Sequence, residues 1–294
     1  MDHRSVIRDF LTTRRAKITP ERAGLMSYGA RRVPGLRRAE VAQLAGVSVE
    51  YYARLERGDL AGVSDSVLDA LARALHLDEA ESAHLYDLAR AAAPAARRRR
   101  RPVPPPGVRR NVQRLLDAIT EAPAVVLNGR TDCLAANQLG RALFAPVFTG
   151  PAQPPSFARF TFLDARARDF WIDWNRIADD TVEMLRAQAG RDPFDRALTD
   201  LIGELSTRSE EFRIRWAAHD VRLHRAGVKH FRHPVIGELH LTFEVMDLVT
   251  DEGLSLVAYG TEPGTASEDG LRMLASWSAT RHQDAAADTI DRAP

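Results

Sequence analysis

Apolar residues recur at helical spacing through the first part of the chain. Val6, Ile7, Phe10 and Leu11 fall on one side of a 3.6-residue period, which predicts a helix from about Ser5 to Lys17. A stretch carrying Pro20, Gly24, Gly29, Pro34 and Gly35 then reads as a loop. Val41, Leu44 and Ala45 predict the inner face of a short helix stopped by Gly46. Ser48 is placed to N-cap the next helix, which carries Tyr52 and Leu55 inward and ends at Gly58. Ser64 has the same position ahead of Val67, Leu68, Leu71 and Leu75. Asp78 and Glu81 have capping-box spacing ahead of Leu85, Leu88 and Ala89. The expectation is an all-α domain of five helices over residues 1–91.

The periodicity stops at 92–107, where prolines and a run from Arg97 to Arg101 accumulate. Proline favours extended geometry and like charges repel, so this segment reads as a semi-rigid linker. Beyond it the period is mixed. Val112, Leu115, Leu116 and Ile119 mark a helix, and AVVLN (124–128) with CLAAN (133–137) reads as a strand pair. Helical spacing fills about 164–206, interrupted near Gly190 to Pro193, and resumes over 209–219. VKHFRH, GELHLTFEVMDL and LSLVAYGT then form a strand meander, closed by a helix around Leu271 to Ala279. A sheet with helices on one side is the economical packing. The fold class expected is α+β in two domains, 1–91 and 108–280, with a polar tail at 281–294 read as disordered.

Charge adds an asymmetry to this layout. The 294 residues carry 41 Lys plus Arg against 40 Asp plus Glu. Residues 1–101 hold 19 of those cations and 13 of the anions, so the front half is basic and the rest acidic. A basic front suits phosphate attraction. Only Lys17 and Lys229 are lysines, a bias attributable to coding composition. The lone Cys133 excludes an internal disulfide and any multi-cysteine zinc site, which fits a reducing cytoplasm. No apolar run is long enough for membrane insertion, and the start lacks a signal-peptide core.

The densest constellation is RRAEVAQLAGVSVEYYARLERG. Two short helices joined by a tight Gly turn form a helix-turn-helix, whose second helix presents its N-terminal residues to base edges in the major groove of double-stranded DNA. Ala42 permits close helix approach, Gly46 permits the turn, and Val47 plugs the gap. Ser48, Val49, Glu50, Tyr51 and Arg54 are the candidate base readers: Arg54 for guanine or phosphate, Glu50 for cytosine N4, Val49 for a thymine methyl. Arg37 and Arg38, opening the first helix of the pair, are candidates for the backbone. The Arg97–Arg101 run is either a second phosphate-binding arm or a solubilising linker.

Residues 31–91 resemble the Cro/C1 or xenobiotic-response-element type of lambda-repressor-like helix-turn-helix, and PGLRRAEVAQLAGVSVEYYARLERG is similar to the version in MmyB-like transcription regulators. The segments FLDARARDFWIDW, AGRDPFDRALTDLIGELSTRSEEFRIRWAAHDV, KHFRHPVIGELHL and AYGTEPGTASEDGLRML resemble the C-terminal domain of that family. The resemblance implies a PAS-like second domain, an antiparallel sheet with helices, that takes a small apolar or fatty-acid-like acyl molecule.

The candidate ligand-binding residues are Phe162, Phe170, Trp171, Trp174, Arg176, Met184, Arg215 and Trp216. Phe157, Phe160 and Arg166 form a wider circle of aromatic and cationic positions. Aromatics at helical spacing serve equally as plain core. His219, His224, His230 and His233 match no compact zinc pattern and read as structural. No nucleophile elbow, P-loop or dinucleotide fingerprint is present, so no catalytic residue, metal or cofactor is expected. The expectation is a cytoplasmic, homodimeric, ligand-responsive DNA-binding regulator of bacterial type. The alternative is a regulator whose second domain is a ligand-free dimerisation scaffold.

Overall fold

The computed structural model describes residues 3–25, 35–92, 107–193, 195–218 and 226–290, with 281–290 as backbone alone. The linker at 92–107, except at its two ends, and His219, Asp220 and His224 lie outside the described residues. The chain groups into two compact units. The first comprises residues 1–102 with 183–203 and 214–223; the second comprises 103–182, 204–213 and 224–294.

The first unit holds α1 (His3–Lys17), α2 (Arg38–Ala45), α3 (Val49–Glu56), α4 (Asp65–Ala74) and α5 (Glu79–Ala92). Its core is built from Ile7, Phe10, Leu11, Leu36, Val41, Ala42, Tyr52, Leu55, Leu68, Leu71, Leu85 and Leu88. Gly46 closes α2 in the left-handed region at φ 66°, where a side chain would be strained. The expected caps are met at two of three positions. Ser48 Oγ accepts from Tyr51 N at 3.0 Å. Asp78 and Glu81 exchange both bonds of a capping box, at 2.8 and 3.2 Å. Ser64 sits at the N-cap of α4, but its hydroxyl pairs with Ser66 Oγ at 3.0 Å instead of the helix backbone. Leu44, expected on the inner face of α2, is exposed. Val41, Ala42 and Ala45 face inward, and position 44 lies roughly 100° round the helix from the centre of that face, at its margin.

The second unit opens with α6 (Arg110–Ala118), β1 (Ala124–Asn128), β2 (Cys133–Ala136), α7 (Gln138–Leu143), α8 (Ala145–Phe148), α9 (Phe157–Leu163) and α10 (Ala167–Phe170). α11 (Trp174–Arg191), α12 (Arg196–Arg208) and α13 (Glu210–Ala217) follow, each shared in part with the first unit or adjoining it in sequence. β3 (Ala226–His233), β4 (Gly237–Asp247), β5 (Leu254–Gly260) and α14 (Ala266–Ile290) complete it. The five strands order as β2-β1-β5-β4-β3, every pair antiparallel.

Over β1, β2 and the start of β5 both faces of the sheet are apolar, which corrects the expectation of helices on one side only. Val125, Val257 and Tyr259 belong to a large core shared with α7, α9, α10 and α11, whereas Ala124, Val126 and Leu254 pack with Val112 and Leu116 of α6. Alternate residues of a strand point to opposite faces, so α6 covers the second face. Asn137, buried at the β2–α7 corner, makes four hydrogen bonds. Its Oδ1 accepts from Ala124 N (2.9 Å) and Gly140 N (2.7 Å), and its Nδ2 donates to Ile119 O and Ala122 O (2.7 Å each). α14 runs to Ile290, past Arg281 where an unstructured tail was expected; the Ala-rich run after Gln283 favours helix enough to continue it.

The helical stretch expected from about 164 is broken once more than its spacing implied. Residues 171–173 leave the helix because Ile172 N donates to His230 O at 3.2 Å and Trp171 bridges Phe231, so this segment lines the open edge of β3. Edge-strand pairing outweighs local helical preference there.

Candidate DNA-reading helix and ligand site

The α2–α3 pair is held from beneath by a buried carboxylate. Glu56, 1% exposed, accepts from Arg15 Nε at 2.6 Å and from Arg38 Nε, while Arg15 also donates to Leu36 O at 2.8 Å. These charged bonds tie α1, α2 and the C-terminal end of α3 into one frame. The hydrogen bond Arg38 donates to Glu56, followed by the carboxylate's charge, raises the pKa of Arg38 above its already high value, so this guanidinium stays charged. Burial raises that of Tyr52 and keeps its phenol neutral within the core.

On that frame Ser48, Val49, Glu50 and Arg54 are exposed, and Tyr51 is half-buried. The Arg54 guanidinium lies 4.8 Å above the Tyr51 ring and 3.7 Å from Asp59, contacts that preset its direction. Arg37 is exposed at the N-cap of α2, its backbone N–H bound by Glu40 at 2.6 Å. Arg38 spends its Nε on Glu56, yet its side chain remains 56% exposed, leaving the rest of the fork turned to solvent.

In the second unit, Phe170, Trp171 and Trp174 are buried in one aromatic cluster with Phe144, Phe160, Phe231 and Tyr259. The rings meet edge to face, with Phe144 to Phe157 at 4.9 Å and Phe170 to Trp171 at 4.8 Å. Phe162 joins at the margin, 6.1 Å from Trp174 and 5.1 Å from Phe212. Trp174 Nε1 donates to Thr161 O at 3.0 Å, and Arg176 donates to Val228 O. Arg168, Ile172, Asp173, Trp174, Asn175 and Arg176 line a cleft of about 540 Å³. A second cleft of about 400 Å³ includes Cys133, whose thiol burial pushes up to about 12, so it stays protonated at neutral pH.

The sequence profile described as the MmyB-like transcription regulator ligand binding domain matches residues 108–274, and a helix-turn-helix domain profile matches residues 9–85. The chain belongs to the MmyB-like transcription regulators. It is a DNA-binding regulator with a helical reading domain and a ligand-binding domain built on an antiparallel five-stranded sheet. No curated protein matches it closely enough to report.

Within this regulator the structure gathers Phe162, Phe170, Trp171, Trp174 and Arg176, but not the whole expected set. Met184, Arg215 and Trp216 belong to segments grouped with the first unit, where the Arg186 guanidinium stacks 4.2 Å over the Trp216 ring. Sequence spacing had joined them because they share a helical run, and the run divides between the units. Of the expected structural histidines, His233 is buried and shares its ring with Ala142 O (3.1 Å) and Val235 N (3.2 Å). His230 Nδ1 meets Asp173 Oδ2 at 2.6 Å. Among the described residues no group of three or more His, Cys, Asp or Glu is placed to hold a metal ion, and no helix is long and apolar enough to cross a membrane.

Glu56, Phe144, Phe231 and Lys229 were not singled out from sequence. Glu56 had a signal, since it lies four residues after the core Tyr52 and shares its helix face.

Proposed function

We propose that this regulator reads double-stranded DNA through Ser48, Val49, Glu50, Tyr51 and Arg54, with Arg37 and Arg38 on the phosphate backbone. We propose further that its second unit binds a small apolar or acyl molecule near Phe162, Phe170, Trp171, Trp174 and Arg176. The observation that carries the reading is the exposed N-terminal face of α3, capped by Ser48 and braced from below by Glu56. A rigid helix end with a directed arginine supports groove docking, because base contacts need side chains held in place. A homodimer would set two such helices against half-sites about 34 Å apart. The ligand then acts only as far as it prefers one arrangement of the pair over another.

Titration of the purified protein against its own upstream DNA tests the reading. The expected result is specific retardation that weakens steeply with salt and responds to an acyl extract. Folded protein giving no specific retardation at low salt would sink it. A second reading, in which the sheet domain is a ligand-free dimer scaffold, has the mutual ring contacts of its core in favour. Native mass spectrometry separates the two readings by the presence or absence of a co-purified small molecule.

A further inference from the structure

The boundary between the two units falls inside a helix. Residues 174–182 of α11 group with the sheet and 183–191 with the reading helices, so one hydrogen-bonded rod takes part in both. Its front end supplies Trp174, Asn175 and Arg176 to the cleft of about 540 Å³. Its back end packs on α5. Gly190, in the last turn, is buried against the imidazole of His84: a Cβ there would stand 2.4 Å from Cε1 and 2.5 Å from Nδ1. This glycine has no left-handed φ that would call for it at a helix stop, so the close approach to His84 is what excludes a side chain. Asp87, one turn further along α5, pairs with Arg191 at 3.5 Å.

The back end of α11 is held in a fixed register. Arg186, 3% exposed, donates to Trp216 O and stacks 4.2 Å over the Trp216 ring, all within the first unit. A buried guanidinium committed to a carbonyl does not slide gradually; such a seam keeps one arrangement or jumps to another. From His84 the frame continues to α3. The His84 ring meets Phe10 of α1 edge-on at 5.0 Å, and Arg15 of the same helix donates to Glu56 at the end of α3 at 2.6 Å. Helices α12 and α13 also divide between the units, but neither supplies a residue to the two clefts described above.

We propose that α11 couples the ligand-binding domain to the reading helix, and that Gly190 seated on His84 is the contact through which the coupling passes. The proposal rests on the reading of α3 as the helix that meets DNA and adds the route by which the second domain reaches it. A ligand that shifts the front end of α11 shifts the seat on α5 with it, because the bonds from each N–H to the carbonyl four residues back carry a displacement along the helix. Coupling is reciprocal: if the front end of α11 alters DNA affinity, DNA on α3 alters the front end of α11. The route is therefore readable from the DNA side with no small molecule present.

Hydrogen–deuterium exchange of the full-length protein, with and without a duplex of its own upstream DNA at low salt, tests the route. Slowed exchange over 49–56 reports DNA on α3. DNA is expected also to change exchange over 174–182 by a factor of about 5 or more, the low end of allosteric coupling, while β1 and β2 keep their rates. Gly190→Ala should drive α11 off its seat on His84 and abolish the response over 174–182, with α3 still protected by DNA. Arg191→Gln, at an exposed position of the same contact, should reduce the response and leave the fold intact, so a Gly190→Ala protein that fails to fold does not leave the question open. An unmoved 174–182 in wild type, a uniform change that includes β1 and β2, or a full response in either variant overturns the route and leaves the DNA reading standing. No protection over 49–56 overturns both.

Discussion

Buried charge is costly unless paired, and Glu56 shows how the pairing is put to use. Its carboxylate is almost wholly enclosed, and the half-exposed Arg38 and the more buried Arg15 converge on it. Removing one partner from such a group is far more destabilising than the pair is stabilising, because the remaining charges lose their counter-ion while still desolvated. Glu56→Ala should cost the helix-turn-helix about 3 kcal/mol or more. Glu56→Gln should cost less, since its amide oxygen still accepts from Arg15. Denaturant unfolding of the three proteins checks the order; an Ala variant as stable as wild type would show that the enclosed carboxylate contributes nothing to the frame. Gly46 acts at the same scale, since its left-handed backbone at φ 66° sets the direction in which α3 leaves α2.

At the scale of elements, α3 separates two kinds of contact that the sequence presents as one cluster of polar residues. In the proposed reading Arg54, directed by Tyr51 and Asp59, takes a base edge, and Arg37, before α2, takes a phosphate. Arg54→Ala should cost about 1–3 kcal/mol at the cognate site and relax the preference at one base position. Arg37→Ala should weaken all sequences alike and lower the salt slope by about 1. Binding isotherms on cognate and scrambled duplexes across a salt series distinguish them, and the assignment fails if the two variants behave identically. Helices α1 to α5 were legible because each has an apolar stripe and α2 to α5 a recognisable cap or stop, and the β3–β5 meander because its polar and apolar positions alternate. The strand order was not legible, since pairing β1 with β5 depends on which edges meet across more than a hundred residues. The break at 171–173 escaped for the same reason, its cause being the edge of β3 and not its own spacing.

At the scale of the whole molecule, the stability of the first unit should carry a pH dependence traceable to one side chain. His84 on α5 is 3% exposed, with the Phe10 ring edge-on at 5.0 Å and the backbone of Gly190 closing over its imidazole, where any larger residue would meet the ring. Burial above all, then the charges of Arg186 and Arg14, lowers its pKa to about 3. An unfolded chain restores it to about 6.5. Between those values the unfolded state takes up a proton that the folded state refuses, so falling pH favours unfolding. The contribution is fully present above about pH 6.5 and is lost progressively toward pH 3. From pH 7 to pH 5 the loss from this group is about 2 kcal/mol. Most carboxylates still hold their charge in that window, and the other histidines contribute equally to wild type and to a His84→Asn variant. The variant carries its own packing cost, but that cost does not change with pH. Hydrogen exchange of the slowest amides in α1 and α5 at both pH values should therefore show wild type losing about 2 kcal/mol more opening free energy than the variant. Parallel losses would mean that His84 accepts its proton in the folded state, and that the enclosure by Phe10 and Gly190 opens far more readily than its packing indicates.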